Sequence, residues 1–224
     1  MIDLQPFWIT FQLALITTAL LFVIAIPLAY WLAHSKSKFK SIIETLVSMP
    51  LVLPPSVLGF YFLVAFGPSH GLGQFIEHYF NTRLVFSFGG LVVASVIYSL
   101  PFMVHPIQSG FSGLSPYLKE ASYSLGKSRM DTLRHVLLPN IKASLLTGIV
   151  LTFAHTIGEF GVVLMIGGNI PGQTRVASIA IYDEVEAMNY HSANVYAGIL
   201  FAVTFVILLT VYFVNHRYAI TKRL

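Results

Sequence analysis

Long apolar runs separated by short polar segments dominate this chain, and their lengths set the first expectation. A helix needs about 20 largely apolar residues to cross the hydrocarbon core of a bilayer. Five stretches reach that length: Phe7 to Ala33, Leu46 to Phe66, Val85 to Ile107, Ala143 to Ile166 and Val195 to Val214. No Asp, Glu, Lys or Arg stands between Asp3 and Lys36. The pattern predicts an all-α integral membrane protein with about five transmembrane helices. With no internal repeat or linker, residues 1–224 read as a single membrane domain.

Composition narrows this further. Of 224 residues, 56% are hydrophobic and 10% charged, with a mean hydropathy of +0.76, values that exclude a soluble enzyme. The chain has no cysteine, so neither a disulfide framework nor a thiolate metal site is available. Asp3 stands where a signal peptide would carry positive charge, and the apolar run behind it is too long for such a peptide. The first span is therefore expected to stay as an anchor.

The formal charge of +4 could suggest nucleic acid, but that needs basic residues gathered on a soluble face. Here eleven of the thirteen Lys and Arg alternate with the spans: Lys36, Lys38 and Lys40; Lys119, Lys127, Arg129, Arg134 and Lys142; Arg217, Lys222 and Arg223. Only Arg83 and Arg175 lie on the other side, with Glu77, Asp183, Glu184 and Glu186. The positive-inside rule puts the eleven in the cytoplasm, the N-terminus outside and the C-terminus inside.

Between the third and fourth spans lies "SPYLKEASYSLGKSRMDTLRHVLLPNIKAS". Its Ala121 to Ser128 spells a variant phosphate loop, but such a loop needs a buried strand before it. "GLSPYLKE" is a poor strand, and the segment, about 112–141, is far too short for a nucleotide-binding domain. A helix fits better: Ser115 as N-cap, Pro116 at the first position, Glu120 near the positive end, and Leu118, Ala121 and Leu125 on one face. Gly126 should bend it, with Met130, Leu133, Val136 and Leu137 continuing a second helix that Pro139 stops. Such a pair suits a groove on a partner protein, or else the membrane surface.

"EASYSLGKSRMDTLRHVLLP" resembles the EAA loop of type I ABC importer permeases through Glu120, Ala121, Gly126, Leu138 and Pro139, with Ser122 in place of the second alanine. The resemblance implies a cytoplasmic coupling helix seated in a separate ATPase subunit, which would hold the ATP and magnesium while this chain binds no cofactor. "MPLVLPPSVLGF" and "GEFGVVLMIGGNIPGQTRVASIAIYDEVE" are similar to the molybdate-type branch, in which tungstate and sulfate permeases share parts. A permease homodimer, an external oxyanion-binding protein and an inner-membrane location are implied with it.

Candidate path residues follow from cost. Pro50 and Pro54, with Pro55, cannot all sit in an unbroken helix, and breaks in a span are tolerated where they face protein or a water-filled cavity. Ser56 follows the break. Glu159 is the only acid read inside a span, a default functional candidate or a carboxyl hydrogen-bonded in a subunit interface. His155, four residues earlier, would share its helix face, and Gly161 closes the Gly158 to Gly161 motif. The molybdate-type permeases usually carry arginine where His155 stands, so a titratable group replaces a fixed charge. No third ligand accompanies His155 and Glu159, so no metal site is expected, and no nucleophile, acid and base set suggests catalysis. The alternative from another class is an ion-coupled secondary transporter with Glu159 and His155 as proton relay.

Overall fold

The computed structural model describes residues 3–221, and no strand occurs among them. Lys222 and Arg223 of the basic tail lie outside the described residues. In chain order the helices are α1 (Gln5–His34), α2 (Lys40–Val52), α3 (Pro55–Phe66), α4 (Gly71–Phe80), α5 (Phe88–Ser112), α6 (Pro116–Ser124), α7 (Arg129–Thr132), a π-helical turn Leu133–Leu137, α8 (Leu138–Asn140), α9 (Lys142–Gly158), α10 (Gly161–Gly167), α11 (Ala177–Glu186) and α12 (Tyr190–Thr221). Helices α1, α5 and α12 are each long and apolar enough to cross a membrane, and the count reaches five if each bent helix pair is one span.

Helices α1 and α5 form the continuous axis of the bundle. α1 keeps 30 residues in one helix despite Pro27, and α5 runs 25 residues through Pro101 and Pro106. The face of α1 turned inward carries Leu13, Ala14, Leu21, Ala25, Ala29 and Leu32, whereas Leu15, Leu20, Val23 and Ile24 point away from the chain. Alanine recurs inward because lipid is as apolar as leucine: helices associate in a bilayer where small residues let the backbones approach. Hydroxyls serve the same end between α5 and α9, where buried Ser99 and Thr156 stand 3.2 Å apart and share a hydrogen bond.

Two larger apolar cores divide the bundle along its length, with a third, smaller one of Phe7, Ala177, Ala180 and Tyr196 where α1, α11 and α12 meet. One joins Leu21 to Leu32 of α1, Met103 to Phe111 of α5, Val47 of α2, Leu137 and Ile141. The other joins Ile9 and Leu13, Leu91 to Tyr98, Val162 to Ile166 of α10, and Val176 and Ile179. α1 and α5 run through both, while the second and fourth predicted spans are divided between them.

The second span breaks at Leu53 and Pro54, and α3 leaves α2 at a bend of 114°. The proline cluster dictates this, since Pro54 and Pro55 together withdraw two successive N–H groups from the ladder. The fourth predicted span, Ala143 to Ile166, is a correction: it is not continuous. α9 has 17 residues, about 26 Å at 1.5 Å per residue, and stops short of a full crossing. Glu159 at its C-cap is extended, with ψ 134°, and α10 adds the remaining 7 residues.

Helix α12 lies at the edge, tied to the bundle through its first turns. Tyr196 stacks on Phe7 at 5.8 Å, and its hydroxyl accepts from the Asp3 N–H at 3.0 Å. The most apolar window of α12 is only 6% buried, against 44% for α1 and 56% for α5, so lipid or another protein must cover it.

Candidate functional site

The two breaks meet. A Cβ placed on Gly161 would lie 2.8 Å from Cβ of Pro55, so only glycine lets the start of α10 rest against the start of α3. One turn along, a Cβ on Gly59 would sit 2.7 Å from Cβ of Met165, so the half-helices touch backbone to side chain over their length. Pro54, Pro55 and Ser56 are exposed on the open side of this junction, and Pro50 is buried one turn before it. Non-helical backbone at membrane depth is sustained where it faces protein or a water-filled cavity.

Glu159 is 7% exposed. Its Oε1 accepts from the Val162 N–H at 3.0 Å, so the carboxylate caps the first turn of α10. Its carbonyl accepts from the Ser178 hydroxyl at 2.6 Å, tying the break to α11. His155 points elsewhere: its ring packs on Phe102 with centroids 3.9 Å apart, and Nδ1 lies 3.2 Å from the Ser99 hydroxyl. α9 ends at Glu159, whose N–H still bonds back to the Thr156 carbonyl, and the Tyr98 ring lies 4.9 Å from that of His155. Among the described residues no direct hydrogen bond links the two side chains, whose partners are Ser99 and the Val162 N–H.

A polar stripe that the sequence reading missed leads to the junction. Ser41, Glu44, Thr45 and Ser48 recur at helical spacing on α2 and line a groove of about 550 Å³ that continues past Met49 to Leu53. Thr45 donates to the Ser41 carbonyl at 2.8 Å, Ser48 to the Glu44 carbonyl at 2.8 Å, and Ser48 Oγ lies 3.1 Å from Nε2 of His105. The one carboxylate here is occupied: Glu44 Oε1 accepts from Gln108 at 2.6 Å and sits 3.8 Å from Lys40 Nζ. Hydroxyls spaced three and four apart in a membrane helix were the available signal, since such a face is costly against lipid. The excluded clue was Glu44, placed by sequence before its span rather than in it.

The coupling segment divides into two faces. On α6, Tyr117, Glu120, Ala121 and Ser124 are exposed, while Leu118 and Lys119 are half-buried and Ser122 is buried. The single apolar face expected from Leu118, Ala121 and Leu125 is thus corrected: Leu118 turns to the bundle, and Ala121 turns out beside Tyr117. Ser122 braces the turn from within, its hydroxyl 2.8 Å from that of Thr132. Gly126 has φ +74°, the left-handed conformation that ends α6.

Beyond it, Ser128 caps α7 reciprocally with Asp131, accepting from its N–H at 3.1 Å and donating to its carboxylate at 2.6 Å. That hydroxyl holds the exposed Asp131 carboxyl below its ordinary range. Pro139 ends the second helix to within one residue, and the chain bends by 75° before α9. The π-helical turn widens the ladder just before Pro139, and the helix continues to Asn140. Leu138 and Pro139 are half-buried, with Leu138 against the core of Leu32, Met103 and Phe111, so they anchor the segment while Glu120 and Ala121 stay exposed.

Interrupted helices joined within a bundle, beside a groove that mixes hydroxyl and apolar side chains, are the architecture of a membrane transporter. The chain belongs to the family of binding-protein-dependent transport system inner membrane components, whose model matches residues 25–223. It is accordingly a multi-pass protein of the inner membrane. It is 46% identical to the molybdenum transport system permease protein ModB of Azotobacter vinelandii, over 94% of this chain and 93% of that one. The putative molybdenum transport system permease protein YvgM of Bacillus subtilis is 32% identical over 91% of this chain and 89% of its own length. The sulfate transport system permease protein CysT of Salmonella typhimurium is 29% identical over 88% and 70%. Among solved structures, an inward-facing MetNI methionine ABC transporter chain matches with TM-score 0.73 at 17% identity, covering 94% of this chain and 93% of that one. A bacterial alginate ABC importer chain matches with TM-score 0.79 at 18% identity, covering 96% and 79%. At those identities the likeness establishes the fold.

Proposed function

We propose that this chain is the permease subunit of an ATP-driven importer of molybdate, with tungstate as a second substrate of the same shape and charge. The observation that carries the substrate is the 46% identity to a molybdenum permease along nearly the whole of both chains. The chain itself is non-catalytic. ATP and magnesium belong to an ATPase subunit that docks on the outward face of α6 around Glu120 and Ala121, and this chain needs no cofactor. An external oxyanion-binding protein delivers the substrate to the side where α4 and α11 lie. The N-terminus is outside and the C-terminus cytoplasmic, as the basic segments require.

The path runs from the junction of Pro54, Ser56, Gly161 and the Glu159-capped turn down the hydroxyl stripe of α2. The Thr45 and Ser48 hydroxyls donate to backbone carbonyls at rest and would have to swing from them to a passing acceptor, and among the described residues the stripe presents no unpaired cation. A dianion would thus be held weakly enough to leave, which conduction requires. The groove is open on one side, and the bare face of α12 needs a cover, so the working unit is a pair of these chains. ATP binding would draw the two coupling segments together and rock the half-helices about their junction, exposing the path to the binding protein.

Reconstitution tests the reading. With the ATPase subunit and binding protein in vesicles, radiolabelled molybdate should accumulate only with ATP, tungstate should compete, and sulfate in excess should not. Equal competition by sulfate would move the chain to the sulfate branch. Accumulation without ATP would overturn the importer reading in favour of a secondary transporter.

A further inference from the structure

A second pocket lies away from the path, on the side of α6 that carries Lys119 and Tyr123. It occupies about 520 Å³ between the C-terminal turn of α1 and the coupling segment, with Tyr30, Trp31, His34, Lys119, Tyr123 and Arg129 in its wall. Lys119 Nζ sits 5.7 Å above the Tyr30 ring, and that ring packs against Phe111 at 5.4 Å, so the aromatic floor is fixed. Neither Lys119 nor Arg129 forms a salt bridge with a carboxylate among the described residues. Two cations and a histidine thus converge on a cavity that has no anion of its own.

Its depth is set by its neighbours. Trp31, 37% exposed, stands one turn before the end of α1, where tryptophan marks the boundary of lipid and water. The basic turn Lys36 to Lys40 follows. In the other direction, exposed Leu20, Ile24 and Pro27 lead along α1 to Trp31 at three- and four-residue steps, an apolar track of acyl-chain character. We infer that this pocket binds the phosphate headgroup of an anionic phospholipid of the cytoplasmic leaflet, with one acyl chain lying along that track. Basic pockets between membrane helices on the cytoplasmic side take anionic headgroups by this chemistry. The site joins α1 to the coupling segment, so a bound lipid would brace the one against the other.

The chain has two tryptophans, Trp8 and Trp31, so Trp8→Phe leaves Trp31 as a sole reporter. In vesicles mixing brominated with unlabelled lipid, brominated phosphatidylglycerol should quench Trp31 more than brominated phosphatidylcholine at equal fraction. The preference should be roughly fivefold for each cation that contacts the headgroup. It should vanish in Lys119→Gln/Arg129→Gln and persist in Lys119→Arg/Arg129→Lys, which keeps the charge and controls for folding. Equal quenching by both lipids would overturn the inference. Loss of the preference on adding inorganic phosphate would assign the pocket to a soluble anion and also overturn it. If the assembled transporter shows no preference in the same vesicles, a protein partner fills the pocket, with the same consequence. None of these readouts depends on the transported substrate.

Discussion

Two pairs of helices with similar apolar composition behave in opposite ways. α1 and α5 carry prolines inside and stay continuous through both cores, whereas the second and fourth spans break where they meet. The difference lies in what surrounds the backbone. Pro27, Pro101 and Pro106 each withdraw a single donor from a helix packed on other helices. Pro54 and Pro55 withdraw two in succession, and the extended Glu159 interrupts its helix beside the glycines that flank it. The continuous pair supplies rigidity, and the interrupted pair supplies a polar junction that can shift.

The strongest attack on that contrast is Gly161→Leu. A side chain there must displace Pro55, an overpacking of about 1–3 kcal/mol placed on the moving junction. Initial molybdate uptake should fall at least tenfold, while co-purification with the ATPase subunit stays normal. Ala121→Arg or Glu120→Lys should do the reverse: membrane insertion is kept and ATPase association, read by co-purification, is lost. Normal association in both would remove the outward face of α6 from the docking account.

Phe111→Ala probes the continuous pair. Phe111 is 1% exposed in the core it shares with Met103 and Ile107, and its truncation should cost about 3–5 kcal/mol. A lowered thermal midpoint with unchanged preference of molybdate over sulfate is expected; altered selectivity would mean that the straight helices also form the path. Ser122→Ala removes one buried hydroxyl partner and should destabilise the coupling turn by about 1 kcal/mol. Hydrogen exchange at residues 116–132 reads this, with Ser122→Thr as rescue.

The smallest effect concerns Asp131. Its folded pKa is held down by Ser128, so its contribution is present above the ordinary carboxylate range and lost only as pH falls through the depressed value. Exchange at the start of α7 should be flat near neutral pH and rise in acid, and Asp131→Asn should abolish the rise.

Much of this could be read along the chain, and the reasons for the rest are specific. The Pro50 to Pro55 cluster announced its break because proline acts through covalent geometry. The break at Glu159 stayed hidden because "HTIGEFGVV" is apolar enough to pass for continuous helix, and only the contact with Pro55 explains why Gly161 is small. The coupling segment was legible as helix, bend and helix. Which face points outward was not, because Leu118 and Ala121 share the expected stripe and differ only in how far the folded segment covers each. The hydroxyl stripe on α2 escaped because its first turns precede the apolar run. The separate partners of His155 and Glu159, the Ser99 hydroxyl and the Val162 N–H, were not legible because they come from α5 and from the turn after the break.

Absence of cysteine makes the central claim, that the path follows the α2 stripe to the junction, directly measurable. Single cysteines at Ser48 and Ser56 should react with a membrane-impermeant, water-borne thiol reagent applied to both sides of the vesicles, and molybdate with ATP should change their rates. A cysteine at Val23, 71% exposed on the far side of α1, should stay unreactive in lipid. If the cysteines at positions 48 and 56 prove as unreactive as the one at 23, the path does not run there and the account is wrong.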